Sequence, residues 1–311
     1  MAQPAGEPGR RRAGGDRAVL SRRHVLSLAP AAALLSAGGR AWAAPQRVIA
    51  VGGALTELIY ELGAQGELVG VDSTSLYPSA ATKLPNVGYA RTLAAEGLLS
   101  LAPTMVVATE EAGPPAVLRQ LEAAKVPLHV LRAEHRFEGV LERTTALGEL
   151  LGRQQQATAL SQKLQAEWTA SRAQVAKLAA GHRAPRVLFV LSNAANQARI
   201  AGSATAADAM IGYAAATNAL GDAQGYKMLS PEAAIAAAPD VILATTQGLE
   251  ASGGIAGLLK LPGLAQTPAG QNKRVVVMET MELLGFGPRT PKALTTLAQA
   301  LHAPAVAGRT A

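Results

Sequence analysis

From Arg47 onward the chain alternates short apolar runs with stretches in which apolar residues recur every three or four positions. "QRVIAVGG" is a strand-like run that ends at Gly52-Gly53. "ALTELIYELGA" then places Leu55, Leu58, Ile59 and Leu62 on one helical face and stops at Gly63. "ELVGVD" predicts a second strand, "AAEGLLSLAP" a short helix and "TMVVAT" a third strand. A helix opened by prolines, "PPAVLRQLEAAKV", leads to the strand "PLHVL". Such alternation implies a parallel sheet covered on both faces.

The rhythm breaks between Phe137 and Ala180, where there is no strand candidate and no proline. That stretch reads as one long helix with a break near Gly152. After Pro185 the alternation resumes with "RVLFVL", "ATAADAMIGYA", "SPEAAIAAAP", "DVILAT" and "RVVVM", and "PKALTTLAQALHA" closes the chain as a helix. The two halves echo each other: "LLSLAPTMVVAT", Leu98–Thr109, matches "AIAAAPDVILAT", Ala234–Thr245, with both Ala-Pro pairs in register. The expected fold class is therefore α/β: two Rossmann-like lobes with parallel sheets, residues 44–136 and 185–311, joined by a single long α-helix within 137–184. Ligands of open parallel sheets bind outside the carboxyl ends of strands and between domains. The loop "GVDSTSLYP" follows the second strand and lies at such an end. It carries Tyr77, one of only 5 tyrosines in 311 residues, directly before Pro78.

Charge changes the picture less than its total suggests. The net charge is +7, but residues 1–43 hold seven basic and two acidic residues, a net of +5. The remaining 22 basic and 20 acidic residues give +2, so no nucleic-acid partner is implied. Residues 1–43 read as a cleaved export signal: Arg22-Arg23, an apolar stretch from Val25 to Ala37, and Ala41-Trp42-Ala43 before Ala44. The twin-arginine route is expected, with a Sec signal and an incidental arginine pair as the alternative. The apolar stretch is too short to span a bilayer comfortably. With no cysteine, disulfides, thiolate metal sites and lipidated-Cys anchors are excluded.

Catalytic motifs are missing. There is no G-x-S-x-G, Walker loop, H-E-x-x-H or G-x-G-x-x-G. His24, His129, His135, His182 and His302 are scattered without helical ligand spacing, which argues against zinc. His129 falls in a strand; His135 and His182 are expected to flank the strut in solvent.

Four segments carry a resemblance: "GVDSTSLYP", "LPNVGYARTLAAEGLLSLAP", "TAADAMIGYAAATNALGDAQGYKMLSPEA" and "LLGFGPRTPKAL". The sequence resembles, from Arg47 to about Leu301, the periplasmic haem-binding proteins of bacterial haem ABC importers, a helical-backbone class of substrate-binding protein. The resemblance implies a soluble, monomeric periplasmic carrier, not an enzyme. Its cargo is ferric haem b and its partner is the importer's transmembrane permease, with an outer-membrane haem receptor system upstream. It also implies that Tyr77 is the axial iron ligand; a phenolate is a hard anion suited to Fe(III). Pro78 biases Tyr77 to an extended backbone.

Some family members place an arginine two residues after that tyrosine, and here the position is Ser79. Arg91 and Lys227 are the candidates for pairing a haem propionate or favouring the phenolate; solvated surface charge is the alternative for each. Phe286 and Arg289 are candidate haem-site residues, Phe286 to pack on the porphyrin and Arg289 to dock its loop or cap the structure. Met228 and Met281 offer apolar contacts or core packing, and Tyr89, Tyr213 and Tyr226 line the cleft or pack. Some members hold two stacked haems with a histidine from the other lobe; no histidine stands clearly placed for this, so one haem is the expectation. The class docks its permease through one glutamate per lobe, which the resemblance puts at Glu57 and Glu232. A ferric siderophore or a corrinoid is the alternative cargo, and a periplasmic haem enzyme the alternative class.

Overall fold

The computed structural model describes residues 46–132, 134–192 and 198–303. The expected export signal lies outside the described residues. The first lobe runs β1 (Val48–Val51), α1 (Gly53–Glu61), β2 (Leu68–Val71), α2 (Ala95–Leu99), β3 (Met105–Ala108), α3 (Pro115–Ala123) and β4 (Leu128–Val130). Its strands form one sheet in the order β2-β1-β3-β4, every pair parallel. β1 and β3 are buried along their whole length, as strands covered on both faces must be.

The proline-free stretch breaks near Gly152, as expected, into a shorter and a longer helix. α4 (Phe137–Leu150) ends at Gly152, which takes φ 63°, and α5 (Gln154–Ala179) continues for 26 residues, about 39 Å at 1.5 Å per residue. Phe137 stacks on Trp168 with centroids 4.4 Å apart, and Trp168 meets Tyr213 edge-on at 4.9 Å. Tyr213 is thereby a packing residue of the strut.

The second lobe comprises β5 (Arg186–Ser192), β6 (Ala198–Ala201), α6 (Ala206–Tyr213), β7 (Thr217–Asn218), β8 (Tyr226–Met228), α7 (Pro231–Ala237), β9 (Val241–Thr245), α8 (Thr246–Ala251), α9 (Gly254–Leu258), α10 (Pro268–Gln271), β10 (Val275–Met278), α11 (Thr280–Leu284) and α12 (Thr290–His302). Its sheet is mixed. β10, β9 and β5 are parallel, as the alternation predicts, but β6 and β8 add antiparallel strands at one edge. These two strands carry charged residues, Arg199 and Lys227, so neither reads as an apolar run as the similarly short β1 and β3 do.

One core crosses both lobes. Val48 and Leu55 of the first, Phe137 and Trp168 of the strut, and Val187 and Leu294 of the second belong to the same buried cluster. Ser171 on α5 fastens α12, donating to the Pro291 carbonyl at 2.8 Å and accepting from Thr295 at 3.0 Å. Two lobes sharing a core are held in one arrangement by packing rather than by a linker. Among the described residues no helix is long and apolar enough to cross a membrane.

Candidate binding site

The Tyr77 loop is built around one buried carboxylate. Asp72, 1% exposed, accepts from the Gly52 N–H at 2.9 Å, the Thr74 N–H at 3.1 Å, and the Thr74 and Ser75 hydroxyls at 2.8 Å each. Four donors offset the cost of burying its charge. Ser75 is also within 2.8 Å of the Thr56 hydroxyl on α1. The run that looks merely polar in sequence is thus internal scaffolding. Gly53 makes it possible: a Cβ there would stand 2.5 Å from the Thr74 carbonyl oxygen. At the tip, Leu76 and Tyr77 are each 51% exposed, and the Tyr77–Pro78 bond is cis.

Two cavities border this loop. The cleft between the lobes, about 360 Å³, is lined by Thr74, Tyr89 and Arg91 from the first lobe and by Arg199, Tyr226 and Met281 from the second. Arg91 pairs with Glu111 at 2.5 Å at the rim, both about half exposed. Burial opposes its charge, but Glu111 outweighs that and raises its pKa. Burial raises the Tyr226 pKa, and Glu111 adds to the shift. The second cavity, about 650 Å³, lies against α1, α5 and the start of α12 and takes Tyr77, Tyr60, Lys163 and Lys292 in its wall. Tyr77 lines this cavity, while Thr74 of the same loop lines the cleft.

Between the two runs the segment from Glu279 to Thr290. Arg289 donates through Nε and Nη2 to both carboxylate oxygens of Glu57, at 2.9 and 2.6 Å. Its other carboxylate neighbours are Glu279 at 3.1 Å and Glu282 at 3.6 Å. Its guanidinium carbon sits 4.5 Å from the Tyr77 ring centroid. Burial raises the Glu57 pKa against the pull of Arg289. Glu279 is also penalised by burial, but the Met281 and Glu282 N–H groups it caps, with Arg289, bring its pKa below the ordinary value. Arg143 of α4 donates to the Phe286 carbonyl, and Phe286 takes φ 48°, a left-handed conformation that costs about 1–3 kcal/mol in a non-glycine residue. Burial lowers the Arg143 pKa to about 10.

These positions change several expectations. Glu57 is not a solvent-facing docking charge: it is 4% exposed and committed to Arg289. Arg289, expected in the haem site, is committed to Glu57 of the other lobe. Lys227 is exposed on β8 and does not line the cleft; its strand neighbour Tyr226 does, because successive side chains on a strand face opposite ways. Phe286 reaches the cleft wall but is 1% exposed, so it supports the wall rather than offering an open face. Met228 is 62% exposed and is not in the cleft lining.

His135 does not simply flank the strut: it lines the cleft, its ring 5.8 Å from that of Phe286. Arg199 was illegible, since β6 was. Glu232 is exposed at the start of α7, as expected, with the Ser230 hydroxyl donating to it at 3.0 Å. Its counterpart was legible in the repeat. Extending the Leu98–Thr109 and Ala234–Thr245 match two residues back aligns Glu232 with Glu96, which is exposed on α2. Among the described residues no cluster of histidine and acidic side chains is arranged to hold a bare metal ion.

Known proteins share this architecture. The profile of a family described as periplasmic binding protein matches residues 48–280. The structure of the periplasmic heme-binding protein RhuT from Roseiflexus sp. RS-1 in apo form is 41% identical, covers 83% of this chain and 98% of its own, and superposes with a TM-score of 0.80. That of the periplasmic heme-binding protein BhuT in complex with two hemes is 46% identical, with coverage of 83% and 98% and a TM-score of 0.79. A vitamin B12-binding protein of Pectobacterium carotovorum subsp. carotovorum (strain PC1) is 35% identical over 94 residues, 30% of this chain and 34% of that protein.

Proposed function

The chain belongs to the periplasmic binding protein family, and from that premise we propose that it carries ferric haem b to an ABC importer, with the Tyr77 phenolate as axial iron ligand. It is a substrate-binding protein and not an enzyme. One observation carries the haem reading: a half-exposed tyrosine at the tip of a loop whose Thr74 and Ser75 are tied inward to Asp72. A hard anionic donor held on a rigid loop suits Fe(III), and little ordering entropy is lost on binding. The similar structures, at 41 and 46% identity, are of heme-binding proteins, which supports the same cargo here.

In this reading the neighbouring cleft, bordered by Thr74 of the same loop, supplies what else the macrocycle needs. Arg91 and Arg199 are propionate partners, Tyr89, Tyr226 and Met281 give apolar contact, and His135 is the candidate for a second axial ligand. A propionate at Arg91 competes with Glu111 for the same guanidinium. Glu96 and Glu232, related by the repeat, are the permease-docking pair in this reading. The carrier acts as a monomer in the periplasm after cleavage before Ala44, with twin-arginine export.

Ferric haem added to the mature protein is expected to give a high-spin, tyrosinate-ligated spectrum that Tyr77→Phe abolishes. The endpoint of the titration counts the haems bound. An unchanged spectrum in the variant removes Tyr77 as ligand. The corrinoid reading draws on the vitamin B12-binding relative; tight binding of cyanocobalamin, unaffected by Tyr77→Phe, would establish it instead.

A further inference from the structure

We infer that Arg289 is the positioning residue for the ligand tyrosine: reaching across from the second lobe, it holds the Tyr77 ring in the orientation that presents the phenol to iron. The inference rests on the haem reading above and deepens it. Tyr77 is 51% exposed, and among the described residues no hydrogen bond reaches its phenol. Its one directional partner there is the Arg289 guanidinium, 4.5 Å from the ring centroid and well inside the range of about 6 Å for a cation over an aromatic face.

That guanidinium is itself held at several points. It is forked onto Glu57 at 2.9 and 2.6 Å and flanked by Glu279 at 3.1 Å and Glu282 at 3.6 Å. Three carboxylates around one cation more than offset its charge, so what it offers the tyrosine is a fixed plane rather than free charge. The site thus replaces the arginine missing at Ser79 with one from the far end of the chain, and ties the ligand's orientation to the contact between lobes. An unheld tyrosine must be ordered when haem binds, which weakens affinity about three- to tenfold.

The test compares wild type, Tyr77→Phe, Arg289→Lys and the double variant Glu57→Gln/Arg289→Gln. The double variant removes the cation without leaving its buried carboxylate unpaired. Without haem, the near-ultraviolet circular dichroism difference between wild type and Tyr77→Phe reports a fixed Tyr77 ring. That component is expected to collapse in the double variant. With ferric haem, the double variant is expected to bind about three- to tenfold more weakly, with only part of the haem tyrosinate-ligated. Arg289→Lys, which keeps the charge but not the planar face, is expected to fall between, and it decides the matter alone if the double variant does not fold. Wild-type circular dichroism and wild-type haem affinity in these variants overturn the inference. A wild type with no Tyr77-dependent haem spectrum would instead sink the haem reading, while the haem-free measurement still decides whether Arg289 fixes the ring.

Discussion

Two arginines near the Tyr77 loop use the same chemistry in different surroundings. Arg91 stands at the cleft rim with one partner, Glu111, and both side chains are about half exposed. Arg289 stands at the lobe seam, its side chain 16% exposed, with three carboxylates and an aromatic face around it. Solvent screens the rim pair, which makes it cheap to break, and so suits a group that changes partners when an anionic ligand arrives. The seam pair is largely desolvated. Removing one member leaves a buried charge, and this makes it a fixture of the structure.

The largest expected effect breaks the seam. Arg289→Ala leaves Glu57 buried and uncompensated, and is expected to destabilise the protein by about 3–5 kcal/mol, lowering Tm by about 10 °C in a thermal melt. Arg91→Ala is the contrast: about 0–1 kcal/mol and a nearly unchanged Tm, but weaker haem binding in titration. A rim substitution that costs as much as the seam substitution would erase the distinction.

A smaller effect is expected from pH. Glu57 has its folded pKa raised above 4.5, so its ionisation costs stability, and lowering the pH from neutral towards 4.5 regains it. Glu279 has its folded pKa lowered, so its contribution is present above pH 4.5 and fades as the pH falls through the folded value. Melts of Glu57→Gln should lose the rise above pH 4.5, and those of Glu279→Gln the fall below it. The smallest stability effect is expected at the proposed docking pair: Glu96→Ala with Glu232→Ala should stay within about 0.5 kcal/mol and leave haem binding intact, with a decline in delivery to a permease as the check of the proposal.

Repetition and periodicity made much of the architecture legible. "VIAV", "MVVA" and "VILAT" announce strands buried on both faces, and the proline-free stretch after Phe137 announces the strut. The repeat in register also contained the Glu96–Glu232 relation, although the resemblance pointed to Glu57. β6 and β8 stayed hidden because a charged residue interrupts each of these short edge strands, and with them went Arg199 and the correct setting of Lys227.

The sequence by itself determined the α/β alternation, the strut and the loop that carries Tyr77, because each depends on residues within a few positions of one another. Only the tertiary structure decided which charges face solvent. Glu57 and Arg289 meet because a shared core docks the two lobes, and no local pattern records that meeting. The same docking brought His135 to the cleft and set the Arg289 guanidinium on the Tyr77 ring. Partners from opposite ends of a chain are chosen by packing, not by local pattern.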